Sequence, residues 1–162
     1  MALPSYSGSS LIGADFGSTS TTALFTLRQR AFGTEGTEWM YVHSNTAHTT
    51  GQLLAINSIG TGINCGTAQA TSGTFDLGFV GSVTWTAGDF GWACMKGLAY
   101  VQCSGTMVPN TQLYVANTNG GLSTTAGSGT LMGIELVVSS STASLVVSTA
   151  ILTWPRSVPA LG

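Results

Sequence analysis

Short runs of apolar and β-branched residues, each cut off by a glycine- or hydroxyl-rich turn, recur along the chain from Ala23 to Thr153. No window holds a sustained 3.6-residue apolar period with caps, and the many glycines and β-branched residues oppose helix. Short strands at roughly 8- to 12-residue spacing are the pattern of a β-sandwich or barrel. The expectation is an all-β chain, an antiparallel β-sandwich or β-barrel with an extended N-terminal arm and little or no helix.

Ala23–Phe32 and Thr37–Ser44 flank Gly33-Thr-Glu-Gly36, which predicts a hairpin. Gln52–Asn57 reads as the next strand. In Thr74–Val80, the residues Phe75, Leu77 and Phe79 share one face. Phe90–Met95 and Leu98–Ser104 read as a hairpin turning at Lys96-Gly97. Thr111–Ala116 runs into the strong turn signal Asn117-Thr-Asn-Gly-Gly121. Alternation in Thr130–Val138 predicts Met132, Ile134, Leu136 and Val138 inward and Glu135 outward. Ala143–Thr153 is the last strand, ended by Pro155. Ser58–Gly73, with little periodicity, is expected as a long surface loop.

The length suits one domain that buries roughly two thirds of its unfolded surface. It divides into an arm (1–23), a β domain (24–154) and a C-terminal tail (155–162). The arm is rich in Ser, Thr and Gly with scattered apolar anchors at Leu3, Tyr6, Leu11, Ile12 and Phe16. Such a segment cannot pack a core alone. Its plain reading is a disordered tail, while its anchors favour an arm that docks on a neighbouring subunit.

Charge narrows the function. Asp, Glu, Lys and Arg make up 6% of the chain, where about 25% is typical. Hydroxyls and small residues take their place, and a net charge of −2 gives little self-repulsion. The chain is suited to being covered by neighbours. Its four basic residues fall short of the roughly six to ten phosphates a nucleic-acid site engages, so no nucleic acid is expected. A membrane span needs about 20 apolar residues in a row. The best stretch, Leu145–Leu152, is short and broken by hydroxyls, so no membrane partner is expected. The N-terminus has neither a basic region nor an apolar core, so no secretory signal is expected.

Cys65, Cys94 and Cys103 form no CxxC and are odd in number. In the expected hairpin Cys94 and Cys103 sit about 14 Å apart along the ladder. A disulfide needs Cα atoms within about 7 Å. All three are expected to be reduced, in a chain made in a cytoplasm.

Catalytic chemistry has little to work with. His43 and His48 are the only imidazoles, at the wrong spacing for one strand face and far from any cysteine, so no metal site is expected. The carboxylates Asp15, Glu35, Glu38, Asp76, Asp89 and Glu135 are scattered. No G-x-S-x-G elbow is present. Gly60-Thr-Gly62 and Gly127-Ser-Gly129 read as turns, with no helix expected after either. Trp39, Trp85, Trp92 and Trp154 fit a core or subunit contact better than a sugar platform. No catalytic residue, metal or cofactor is expected, and the chain is not expected to be an enzyme.

An ordered set of motifs carries a resemblance. It comprises Gly88-Asp-Phe-Gly-Trp92 followed by Gly97, then Asn110-Thr-Gln-Leu-Tyr-Val115 with Asn119-Gly-Gly-Leu122, then Gly133-Ile-Glu-Leu136 and Trp154-Pro-Arg156. The set resembles the C-terminal half of head decoration (cement) proteins of tailed bacteriophages. Gly36-Thr-Glu-Trp-Met-Tyr-Val42 with Thr50-Gly51-Gln52 is similar to the family's first hairpin. The likeness spans residues 24 to 156, and its motifs are structural rather than chemical. The chain departs from the family in its Ser/Thr richness and in Ser58–Gly73.

The resemblance implies a structural virion protein on the outer surface of a phage head, made in the host cytoplasm. It would bind the major capsid protein and stabilise the shell, self-associating as a homotrimer or else a dimer. The arm anchors Leu3, Tyr6, Leu11, Ile12 and Phe16 would touch the capsid. Trp154, Pro155 and Arg156 would fix the end of the domain, with Arg156 in an intersubunit ion pair. The alternatives are another virion subunit (neck, tail tube or head fibre) and a carbohydrate-binding module using Trp39 or Trp92.

Overall fold

The structure, a computed structural model, describes residues 14–81, 83–116, 120–125, 130–137, 139 and 146–158. Its strands are β1 (Arg30–Phe32), β2 (Glu38–Ser44), β3 (Leu53–Ile56), β4 (Thr61–Asn64), β5 (Asp76–Val80), β6 (Phe90–Cys103), β7 (Leu113–Val115), β8 (Leu122–Ser123), β9 (Thr130–Leu136) and β10 (Val146–Val158). Among the described residues helix is confined to a 3-10 turn at Thr34–Gly36 and one short helix, α1 (Thr67–Ser72). Strands hold 51% of the chain against 7% helix, which makes the fold all-β as the turn rhythm implies.

Five strands close into a barrel within the larger sheet. The closed path runs β2-β4-β3-β5-β6 and returns from β6 to β2. All its pairings are antiparallel except β2–β4, where His43 faces Thr61 and Ser44 faces Gly62. A second ring of pairings runs β6-β10-β9-β7-β8, and Leu122 returns to Cys103 through a parallel bridge. The two rings share β6. Its first half pairs with β2 and β5, and its second half with β10.

The expected hairpin at Lys96-Gly97 is therefore corrected to one 14-residue strand. A two-residue I′ turn needs positive φ at both central positions. Among the described residues of this stretch only Gly97 has it, at 95°. One left-handed residue makes a bulge and a bend, not a reversal. Opposite it, Glu38 pairs with Lys96 but Trp39 with Cys94, so Met95 is the extra residue. A Cβ on Gly97 would meet the Thr37 Cα at 2.9 Å. The bulge shifts the alternation: Trp92 and Cys94 face the larger core before it, Ala99, Val101 and Cys103 after it.

The stretch expected as a loop, Ser58–Gly73, instead holds β4 and α1. β4 has little strand propensity of its own. Pairing on both sides, with β3 and β2, imposes its conformation. The Gly66 N–H donates to Gln69 Oε1 at the start of α1, and Gly73, left-handed at φ 65°, ends it. The β1–β2 hairpin forms across Thr34–Gly36 as expected, though its first strand begins only at Arg30.

The last strand does not stop at Pro155. β10 continues to Val158, with a bulge between Leu152 and Arg156 where four β10 steps match two on β9. Pro155, which has no N–H to give, is buried inside this interruption of the ladder. Trp154 takes φ 59° there. On β9 the backbone answers with Gly133 at φ 77°. The inward phase then changes, so Leu131 is buried and Met132 is 45% exposed, against the alternation read from sequence. Val138 lies outside the described residues.

The side chains of Met40, Val42, Leu54, Ile56, Val80, Ala93 and Met95 pack together with Trp85 as one cluster, and Trp154 leans against it. These residues alternate with Trp39, Tyr41 and Trp92, whose side is covered by Phe16 and Phe25. The first set therefore fills the barrel. Gly91 leaves room for the plug, since a Cβ there would fall 2.7 Å from the Trp85 ring.

The Gly133 bulge is testable. A Cβ at Gly133 would lie 2.8 Å from the Thr153 carbonyl oxygen and 2.9 Å from that of Trp154. Gly133→Ala should cost about 2 kcal/mol or more from left-handed strain and backbone collision. Gly105, left-handed but with open space around it, is the control, and Gly105→Ala should cost about 1 kcal/mol. Equilibrium denaturation of both variants checks the difference.

Candidate functional site

In a chain this short of charge, where each charge goes is informative. Arg28 holds Asp76 at 2.5 Å and also donates to the Asn57 carbonyl. Lys96 pairs with Glu38 at 3.0 Å beside the β6 bulge. Arg30 stacks over the Trp154 ring, 4.3 Å from its centroid. Asp89 accepts from the Thr86 N–H and hydroxyl, and Asp15 from the Gly17 N–H. Glu35 sits exposed at the tip of the β1–β2 hairpin. That leaves Glu135 and Arg156, both exposed and both without an ion-pair partner among the described residues.

The triplet expected at the domain end is split by burial. Trp154 is partly buried against the barrel filling, Pro155 is buried in the bulge, and Arg156 points to solvent beside Met132. Trp154 thereby ties the second ring to the filling of the first. Only Arg156 is free to meet another molecule.

The arm is also divided. Leu3, Tyr6, Leu11 and Ile12 lie outside the described residues. Phe16 is 4% exposed, stacked on Trp39 at 4.8 Å and set edge-on to Trp92 at 5.5 Å. Ser20 exchanges two backbone hydrogen bonds with Phe90. Phe16 thus belongs to the core of its own domain and not to a contact with a capsid. A Ser/Thr/Gly-rich stretch gives no periodicity to show this. The signal that could have shown it is the aromatic residue itself, which finds a flat indole to cover.

Residues 15–25 border a shallow groove over the barrel wall. Phe25, Tyr41, Trp92 and Phe90 form its floor, and Asp15, Ser18, Thr19 and Ser20 its rim. The rings pack on each other, with Phe25 5.2 Å from both Tyr41 and Trp92. Trp39, Trp85 and Trp92 are all at most 2% exposed, so none presents a face to a sugar ring. Trp154, the fourth indole, is already covered by Arg30 on one side.

His43 and His48 are not brought together. His43 lies against Phe90. His48 is buried, with Nδ1 2.7 Å from Asn64 Oδ1 and its ring edge-on to Trp85. Burial lowers its pKa from 6.5, against the opposing effects of Asn64 and the Gly62 backbone. Among the described residues no group of His, Cys, Asp and Glu is arranged to hold a metal, and no hydrogen bond joins an imidazole to a hydroxyl or thiol. The three cysteines are buried, and none is in a disulfide. Burial pushes Cys65 and Cys94 up to about 12, so neither is a ready thiolate. Cys94 and Cys103 lie on one strand, not across a hairpin.

Comparison with known proteins matches no family model, no curated protein and no solved structure.

The buried imidazole sets a pH dependence. His48 binds a proton less readily folded than unfolded, so the unfolded state takes up more protons as pH falls. Its contribution is fully present above pH 6.5 and is lost progressively below it. Denaturation between pH 8 and 5 should show stability falling below about pH 6.5. His48→Gln should flatten that part of the profile. An unchanged slope in the variant would assign it to other groups.

Proposed function

We propose that this chain is a non-enzymatic structural protein of a virion that decorates or cements the outer surface of a tailed-phage head. In this reading it binds the major capsid protein and other copies of itself. The observation that carries the reading is the surface. Eight large apolar side chains are exposed among the described residues, in a chain whose few charges are mostly tied up internally. Such a surface favours being covered. The ordered motifs from Gly88 to Arg156 add the phage resemblance.

A cement protein acts by burying area at many equivalent places, so a modest affinity per site is multiplied. Hydroxyls suit that role, because they pair locally without the desolvation cost of an unpaired charge. The capsid-contacting part is the segment bearing Leu3, Tyr6, Leu11 and Ile12, since Phe16 is committed to its own core. Other subunits of the same virion share these compositional demands, so position on the particle is the distinguishing property.

Removing residues 2–13 should abolish binding to expanded phage heads and leave the far-UV circular dichroism of a folded β domain. Full binding by the truncated protein would overturn the arm's role. Electron microscopy of labelled protein should show density over the head surface. A ring at the neck, or density along the tail, would assign it to another virion component.

A further inference from the structure

Sheet edges offer this chain little opportunity to associate. Every strand has partners on two sides except β1 among the described residues. β1 is three residues long, bears the exposed Arg30, and follows the left-handed Arg28. Short length, charge and irregular backbone are the features that protect an edge. Association must use faces.

One face stands out. Four of the eight exposed large apolar residues, Met132, Val137, Val147 and Ile151, lie on β9, β10 and the residue just past β9. They share a side. Ile151 is directly opposite Glu135, Val137 donates its N–H to the Thr149 carbonyl, and Met132 is opposite Arg156. Glu135 and Arg156, the two strand charges with neither an ion-pair nor a ring partner among the described residues, are on this same side, with opposite signs. Their register positions differ by three β9 residues, roughly 10 Å along the strand.

We propose that a second copy of this chain docks on the β9–β10 face, about a two-fold axis that sets Glu135 of each copy against Arg156 of the other. The face is its own complement. A two-fold contact places the same patch on both partners, so a patch with one acid and one base offset along a strand satisfies both pairs at once. Ile151 lies beside Glu135 and Met132 beside Arg156, so each ion pair would be flanked by an apolar side chain. Tyr100 and Gln102 of β6, on this side, are buried, so the open face is β9 and β10, a strip roughly 10 Å by 25 Å. Two such strips bury roughly 500 Å² in total, the size of a weak, transient contact. The dimer is therefore a modest one, and of the two self-associated states considered it replaces the trimer. It rests on the reading above only for its biological setting.

The test uses purified full-length protein with no shell present, so its outcome is independent of head binding. Sedimentation equilibrium should show a dimer at concentrations up to about 100 μM, where an interface of this size associates. Glu135→Arg and Arg156→Glu should each weaken it about tenfold or more, and the double reversal should restore it. Ile151→Ser should weaken it without adding charge. Thermal denaturation of each variant checks that the domain is folded. A monomeric wild type, undisturbed single reversals, or a double reversal no better than the singles would each overturn the proposal. Failure here leaves the capsid reading standing, and failure to bind heads leaves the dimer standing.

Discussion

The ladder along β6 is the constraint on which both halves of the molecule depend. From Phe90 to Cys103 one strand supplies hydrogen bonds first to β2 and β5 and then to β10, with Leu122 closing on its last residue. Neither ring closes without it. The change of partners occurs at Met95–Gly97, where an extra residue and a left-handed glycine turn the strand's inward face by one position. That adjustment lets a single strand keep its apolar side toward two differently placed interiors. A residue with a Cβ at Gly97 would collide with Thr37 and misalign both.

Charge is used sparingly and with position. Arg28 and Asp76 tie the lead into β1 to the start of β5, and Lys96 and Glu38 clamp the β6 bulge. Partly exposed pairs like these contribute little stability each. Their value is in fixing register where the backbone departs from regular pairing. Against this economy, an acid and a base left open on one flat face are conspicuous, and they are the reason that face is singled out.

The all-β class was legible because turn residues recur at strand spacing, and β2, β3, β5, β7 and β9 fall within the runs read from sequence. What failed has a common cause. The β6 hairpin, the 58–73 loop and the stop at Pro155 all rest on local signals. Each was decided by pairing between residues far apart in the chain. Lys96-Gly97 looks like a turn until β2 and β10 are in place. Thr61–Asn64 looks like a loop until β3 and β2 flank it. Arg156 is singled out in the sequence only by the phage resemblance, and the burial of Phe16 was not legible at all, because only the folded barrel presents Trp39 to it.

The left-handed step at Trp154 has a consequence for how the chain assembles. Its indole leans on the filling of a barrel whose own strands end at Cys103, so that barrel keeps an uncovered apolar flank while β7, β8 and β9 are still being made. Only when the final strand arrives is the flank sealed. Contacts that join such distant parts of a sequence form slowly. On the ribosome, the first ring must wait for the last segment of the domain, and the interval before that arrival is when the nascent chain is most exposed to unwanted association.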